Sequence, residues 1–204
     1  MTSGKNMNLP DGWLSEGQAA YLAQLVRDVA GLEGSFLEVG SFHGCSATAI
    51  GTEVKKLNSR LYCIDIWNKK LTGKDEIERK EIMEEYRKIP IVEHFKGDSY
   101  LMFTENIKAR GLGDVIVPII GLSSTIRKTW EIPLRFIFID GNHDYEYVRE
   151  DYLWGQFLVG AGIIAFHDYM GKCGVRKAVN GMMDNNPNFK PMGLIGGIRT
   201  FRRL

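Results

Sequence analysis

The sequence has little of what would tie it to an oxidising compartment, a membrane or a polyanion. Its three cysteines, Cys45, Cys63 and Cys173, are too few and too scattered for a disulfide framework or a zinc site, and read as reduced thiols. No apolar run approaches the roughly 18 residues of a membrane span. The polar stretch Met1 to Asp11 shows no signal-peptide core. Together these features predict a cytoplasmic protein with no membrane partner. The net charge of +1 gives no global pull toward nucleic acid. The one local basic cluster, Arg199, Arg202 and Arg203, reads as a solvated strand end. Internal repeats and low-complexity segments are also missing.

What is present suits a single globular domain. The 204 residues are 44% hydrophobic and 25% charged, enough for one well-buried core and tight for two. Strand-like and helix-like segments alternate almost to the end. Ser15 and Gln18 form a capping-box pattern, followed by Leu22, Leu25, Val26 and Val29 on one helical face. Apolar strand runs are expected at 35–39, 61–66, 115–120, 134–139 and 163–166, with helices following Gly44, Asp98, Asp144 and Gly174. In the last helix Val175, Ala178, Val179 and Met182 share a face. Gly196-Gly197 reads as the turn of a closing hairpin. Successive βα units of this kind imply a mainly parallel sheet with helices on both faces. Pro118 should place its strand at an edge, because it cannot donate a ladder hydrogen bond.

One stretch breaks the rhythm. Residues 68–98 are dense in charge, with a helix expected near 74–88 and a break at Pro90. The stretch is too long for an ordinary βα connection. It reads as an insertion in a domain otherwise spanning 1–204, serving as a lid, as a homodimer contact or simply as a solvated helix.

The chemistry-bearing residues collect where such a sheet binds ligands, at the carboxyl ends of its strands. Glu38, Asp65, Ser123, Asp140 and the pair His167-Asp168 all fall there. Gly40 and Gly44 would let the chain turn tightly from the first strand into a helix whose free N–H groups face a ligand. Asp65 ends the next strand, where an acid suits a pair of ribose hydroxyls. A dinucleotide-binding oxidoreductase would look similar so far, but the turn lacks the G-x-G-x-x-G spacing that suits a pyrophosphate.

The segment Glu38-x-Gly40-x-x-x-Gly44-x-Ser46 resembles the first motif of class I S-adenosylmethionine-dependent methyltransferases, especially the catechol O-methyltransferase-like and caffeoyl-CoA-type families. Gly121-Leu122-Ser123-Ser124 resembles their adenine-side loop. Asp140-Gly141-Asn142-His143 and Ala165-Phe166-His167-Asp168 resemble their metal and catalytic segments. The stretch from Phe136 to Tyr169 is also similar to the macrocin O-methyltransferase and cephalosporin hydroxylase-like group. The resemblance implies an α/β fold, a Rossmann-like three-layer sandwich of strand order 3-2-1-4-5-7-6 with a C-terminal antiparallel hairpin. It implies that Gly40, Ser41 and Phe42 line the methionine part of the cofactor beside Gly44. Ser46 would bind its carboxylate and Glu38 would help hold its amino end. Asp65 would hold the ribose, with Ile66 and Trp67 near the adenine and Ser123 and Ser124 at its edge; a simple helix N-cap is the other reading of the serines.

Asp140, His167 and Asp168 are the metal ligands that the resemblance implies, with Asp140 shared between cofactor and catalysis. Two carboxylates would leave a cation such as Mg²⁺ or Mn²⁺ open to water and to substrate oxygens. His143 stands where the catechol-type pattern has a lysine and is the candidate general base, or else a structural hydrogen bond closing its loop. His167 departs from the pattern, which has a carboxylate there. As a ligand it would tilt the site toward Mn²⁺, Fe²⁺ or Zn²⁺, and it could instead be the base or pack as a neutral residue. His43 and His94 read as surface or turn residues. The expected activity is O-methylation of a small hydroxylated molecule. The rivals are a metal-independent N- or protein methyltransferase and a binding protein without transfer activity. No N/D-P-P-Y/F-type motif of nucleic-acid base methyltransferases follows the fourth strand. The acceptor pocket is expected around Trp13, the insertion and the loop from Tyr169 to Cys173.

Overall fold

The short apolar runs become the strands of one sheet. A computed structural model describes residues 9–10, 12–67 and 98–204. The helix expected near 74–88, Pro90, His94 and all of the charged insertion except Asp98 lie outside the described residues. In chain order the elements are α1 (Glu16–Asp28), β1 (Ser35–Val39), α2 (Cys45–Lys56), β2 (Leu61–Asp65), α3 (Ser99–Ala109), β3 (Ile116–Ile120), α4 (Ser123–Ile126), β4 (Leu134–Ile139), α5 (Tyr145–Tyr152), β5 (Leu158–Phe166), α6 (Cys173–Met183), β6 (Phe189–Ile195) and β7 (Ile198–Arg203).

The seven strands lie in the order β3-β2-β1-β4-β5-β7-β6. β1 to β5 pair in parallel, and β7 runs antiparallel between β5 and β6. The order and the closing hairpin are those the resemblance implied. From β1 the chain moves outward through β2 to β3, then returns to β4 beside β1 and continues the other way. A cleft opens at such a reversal, because the loops leaving the two central strands diverge.

Alternation along the strands sorts the core into two faces. Phe36, Phe136 and Phe138 pack with Leu22 and Val26 of α1, Ile50 of α2 and Phe103 of α3. Leu37, Val39, Ile137 and Ile139 pack on the other side with Val148 of α5 and Val179 of α6. Each fully buried Leu or Phe contributes roughly 1.5–3 kcal/mol by leaving water. With both faces covered, the central strands are apolar without interruption.

Local details follow the sequence closely, with three differences. The capping box of α1 is formed on both sides, Gln18 N donating to Ser15 Oγ and Ser15 N to Gln18 Oε1. Pro118 sits in the outermost strand β3, opposite Cys63. β5, however, begins at Leu158 and not at Ile163. Its register with β4 jumps from Leu134↔Leu158 to Phe136↔Ile163 across a bulge in which Ala161 has φ +63°. The C-terminal arginines are more than a solvated end. Arg202 donates to the carbonyl of Ala161, and Arg203 to those of Gly155 and Leu158, so β7 ties down the bulge. In α6 Met183 completes the buried face, while Met182 is half-buried at its edge.

Candidate active site

The cleft at the reversal has a volume of about 910 Å³, at the large end of the range for small-molecule sites. Its floor is the turn after β1. Gly40 has φ +87° and lies against the Asp140 carbonyl so closely that a Cβ there would overlap it, which is why the position needs glycine. Gly44, at φ +85°, is the N-cap of α2, and it has no side-chain cap bond. Ser41, Phe42 and Ser46 reach the cleft wall as expected. Glu38 and Gly44 do not; they lie behind it.

Glu38 is fully buried. Burial pushes its pKa up to about 7, against the pull of the Ser41 and Ser46 hydroxyls and the Cys63 thiol. Cys63 Sγ donates to Glu38 Oε2 at 3.4 Å; the Ser41 hydroxyl is near enough to act on the carboxyl but not aligned for a hydrogen bond, so Glu38 Oε1 and Ser41 Oγ have no well-formed one among the described residues. Two unpaired polar atoms beneath a glycine turn are costly unless a ligand or water satisfies the site.

Asp65 is held by backbone donors, Phe42 N to Oδ2 at 2.9 Å and Trp67 N to Oδ1 at 2.7 Å. Burial raises its pKa, and these N–H groups oppose the rise. Each oxygen keeps a lone pair for a further donor. Ile66 and Trp67 line the cleft beside it. Trp67 is buried against Phe103 and Tyr100, and its indole N–H donates to the Phe42 carbonyl at 2.8 Å. It therefore braces the turn as well as forming wall.

Ser123 and Ser124 also line the cleft, but neither is an N-cap, since Leu122 holds that position in α4. Ser123 Oγ accepts from Trp154 Nε1 at 2.6 Å. Beside it stands Asp151, which sequence reasoning missed: a carboxyl buried on the cleft wall, pushed up to about 7 by burial. Its only signal was its spacing from Val148 on the inward face of α5. His43 lies in the turn after β1, as one of its two readings had it, but is buried there. Its ring stacks on Phe42, and burial lowers its pKa to about 4.

At the other end of the cleft Asp140, His143, His167 and Asp168 come together. His143 Nε2 lies 3.1 Å from Asp168 Oδ2 and 3.9 Å from Asp140 Oδ1. Burial disfavours charge on this ring, but the two carboxylates outweigh it and push the pKa up to about 9. The His143 contact in turn holds Asp168 below the ordinary carboxylate range. Donor atoms of Asp140, His143 and Asp168 all lie within 4.8 Å of one another, a set able to hold a cation. The imidazole in that set is His143. Both ring nitrogens of His167 are already engaged, Nδ1 with Asp140 Oδ1 and Nε2 with Gln18 Nε2, each at 2.9 Å. Ligation by His167 would require breaking one of these bonds. Gln18, absent from the expected site, also lines the cleft. Trp13 stacks on Phe42 at the mouth, with ring centroids 5.1 Å apart.

A strand order reversing over a glycine turn, with an acid closing β2 and a cluster of acids and histidines beyond β4 and β5, defines a class I methyltransferase architecture. The family model described as "Methyltransferase domain" matches residues 37–169, more than half of the chain, and the chain belongs to that family. Solved structures share the fold. The O-methyltransferase NovP superposes with a TM-score of 0.71 at 15% identity, over 92% of this chain and 79% of its own. TomG, an O-methyltransferase of Streptomyces achromogenes involved in tomaymycin synthesis and solved with S-adenosylmethionine, gives 0.67 at 15% identity over 96% and 83%. An O-methyltransferase from Bacillus cereus in complex with S-adenosylhomocysteine gives 0.65 at 15% identity over 97% and 85%. No helix among the described residues is long and apolar enough to cross a membrane.

Proposed function

We propose that the chain is an S-adenosylmethionine-dependent O-methyltransferase of the cytoplasm, acting with a divalent cation on a hydroxyl of a small molecule. One observation carries the reading: the Asp140, His143 and Asp168 cluster opens onto the same cleft as the glycine turn. The cofactor's residues fit. Ser41 and Ser46 are on the cleft wall, the Ser41 hydroxyl without a partner, and Asp65 offers lone pairs to a ribose. When bound, S-adenosylmethionine supplies a methyl group on a cationic sulfur.

A hydroxyl is a weak nucleophile until its proton leaves. As the oxygen bonds to the methyl carbon, the carbon–sulfur bond breaks and its electron pair returns to sulfur. His143 is placed to take the proton. Its ring holds one tightly while Asp140 and Asp168 face it uncompensated. Asp140 and Asp168 would hold Mg²⁺ or Mn²⁺, with water and the substrate oxygen as further ligands, and such a cation would lower the hydroxyl's pKa. By offsetting the charge of those carboxylates it would leave the His143 ring, not itself a ligand, able to act as base.

The test is transfer of labelled methyl from S-adenosylmethionine to a panel of phenols and sugars. Transfer to oxygen is expected, abolished by chelation and restored by Mg²⁺ or Mn²⁺. Transfer that survives chelation, or that goes to nitrogen or to protein, would return the reading to a metal-independent enzyme.

A further inference from the structure

We propose that Gln18 is a positioning residue: its amide fixes the proton of His167 on Nδ1 and so ties down Oδ1 of Asp140. The proposal rests on the methyltransferase reading for what Asp140 does, but its hydrogen-bond logic is independent of it.

The amide's orientation is fixed by groups that have only one role each. The Ser15 backbone N–H can only donate, and it lies 2.8 Å from Gln18 Oε1, so that atom is the oxygen. The Gly196 carbonyl can only accept, and it lies 2.6 Å from Nε2, so that atom is the nitrogen. The remaining N–H of Nε2 faces His167 Nε2 at 2.9 Å. A ring nitrogen opposite a donor must offer its lone pair, which leaves the proton on Nδ1, 2.9 Å from Asp140 Oδ1. The other tautomer would set N–H against N–H at Gln18 and a lone pair against the carboxylate. The ring is only 7% exposed and edge-on to Phe138, so it has little freedom to turn away.

The capping box alone does not call for glutamine, since glutamate serves it equally. The amide nitrogen is what the second half of the contact needs. Through it, the first turn of α1 and the β6–β7 turn are joined to a carboxylate that ends β4.

The experiment uses the full chain with ¹⁵N-labelled histidine and two-bond ¹H–¹⁵N correlation NMR, with His167 assigned by its loss in His167→Asn. The expected pattern is a protonated Nδ1 and an unprotonated Nε2. In Gln18→Glu the cap survives but a carboxylate oxygen faces the ring, so Nε2 gains a proton. Mn²⁺ affinity, read by calorimetry, should weaken by about tenfold in His167→Phe, which keeps a ring and removes the Nδ1 donor to Asp140. Ser15→Ala, which removes the other half of the cap, should lower the thermal midpoint and leave the His167 pattern unchanged. A protonated Nε2 in the wild type, whether or not Nδ1 also carries a proton, or an unchanged pattern in Gln18→Glu, overturns the proposal. The expected NMR pattern in a wild type that binds no Mn²⁺ would support the proposal and count against the metal-assisted reading instead.

Discussion

Gly40 and Asp140 touch through their backbones at the point where the strand order reverses, with no room for a side chain between them. The contact joins the turn after β1 to the loop after β4, since Asp140 N also donates to the Val39 carbonyl at 2.8 Å. Gly40→Ala would force a Cβ into that carbonyl at φ +87°. We expect a loss of about 1–3 kcal/mol or more in urea unfolding, and a matching loss of S-adenosylmethionine affinity. Wild-type values for both would refute the strained contact.

Asp151 gives a pH signature. Burial raises its folded-state pKa to about 7, opposed by Ser123 and Arg127 and reinforced by Glu150. Between about pH 4 and pH 7 the unfolded chain has lost this proton while the folded chain keeps it. The group's contribution to stability therefore falls as pH rises through that window and is flat above it. Asp151→Asn should be more stable than wild type at pH 8, by roughly 2–4 kcal/mol relative to the difference at pH 4. A difference independent of pH would show that Asp151 is ionised in the folded protein.

Arg203 predicts a loss of stability alone. Its guanidinium serves the carbonyls of Gly155 and Leu158 beside the β5 bulge, away from the cleft-lining residues. Arg203→Ala should cost about 1–3 kcal/mol in unfolding and leave S-adenosylmethionine affinity unchanged. A fall in affinity without a fall in stability would contradict this role.

Much of the fold was legible because its signals are local. The strand cores are short apolar runs, with Asp65 closing β2 and Asp140 following β4, and Ser15-Gln18 and Gly196-Gly197 mark a cap and a turn by residue type. Pro118 marked its own edge. What escaped depends on residues distant in the chain. Both His143 and His167 adjoin acids in sequence, and spacing alone cannot say which ring stays available. Gln18, at the start of the chain, decides it by occupying His167. Asp151 is flanked by Glu150 and Tyr152 and looks like a solvated helix residue until Ser123 and Gly141 close over it. The bulge of β5 needed the arginines of β7, which pair with that strand only in the folded sheet.

The most direct measurement is calorimetric titration of the purified chain with S-adenosylmethionine and, separately, with NAD(H). Saturable binding of S-adenosylmethionine, lost in Asp65→Ala, with no binding of NAD(H), is the expected result. Saturable NAD(H) binding with none of S-adenosylmethionine would contradict the assignment of this cleft to methyl transfer.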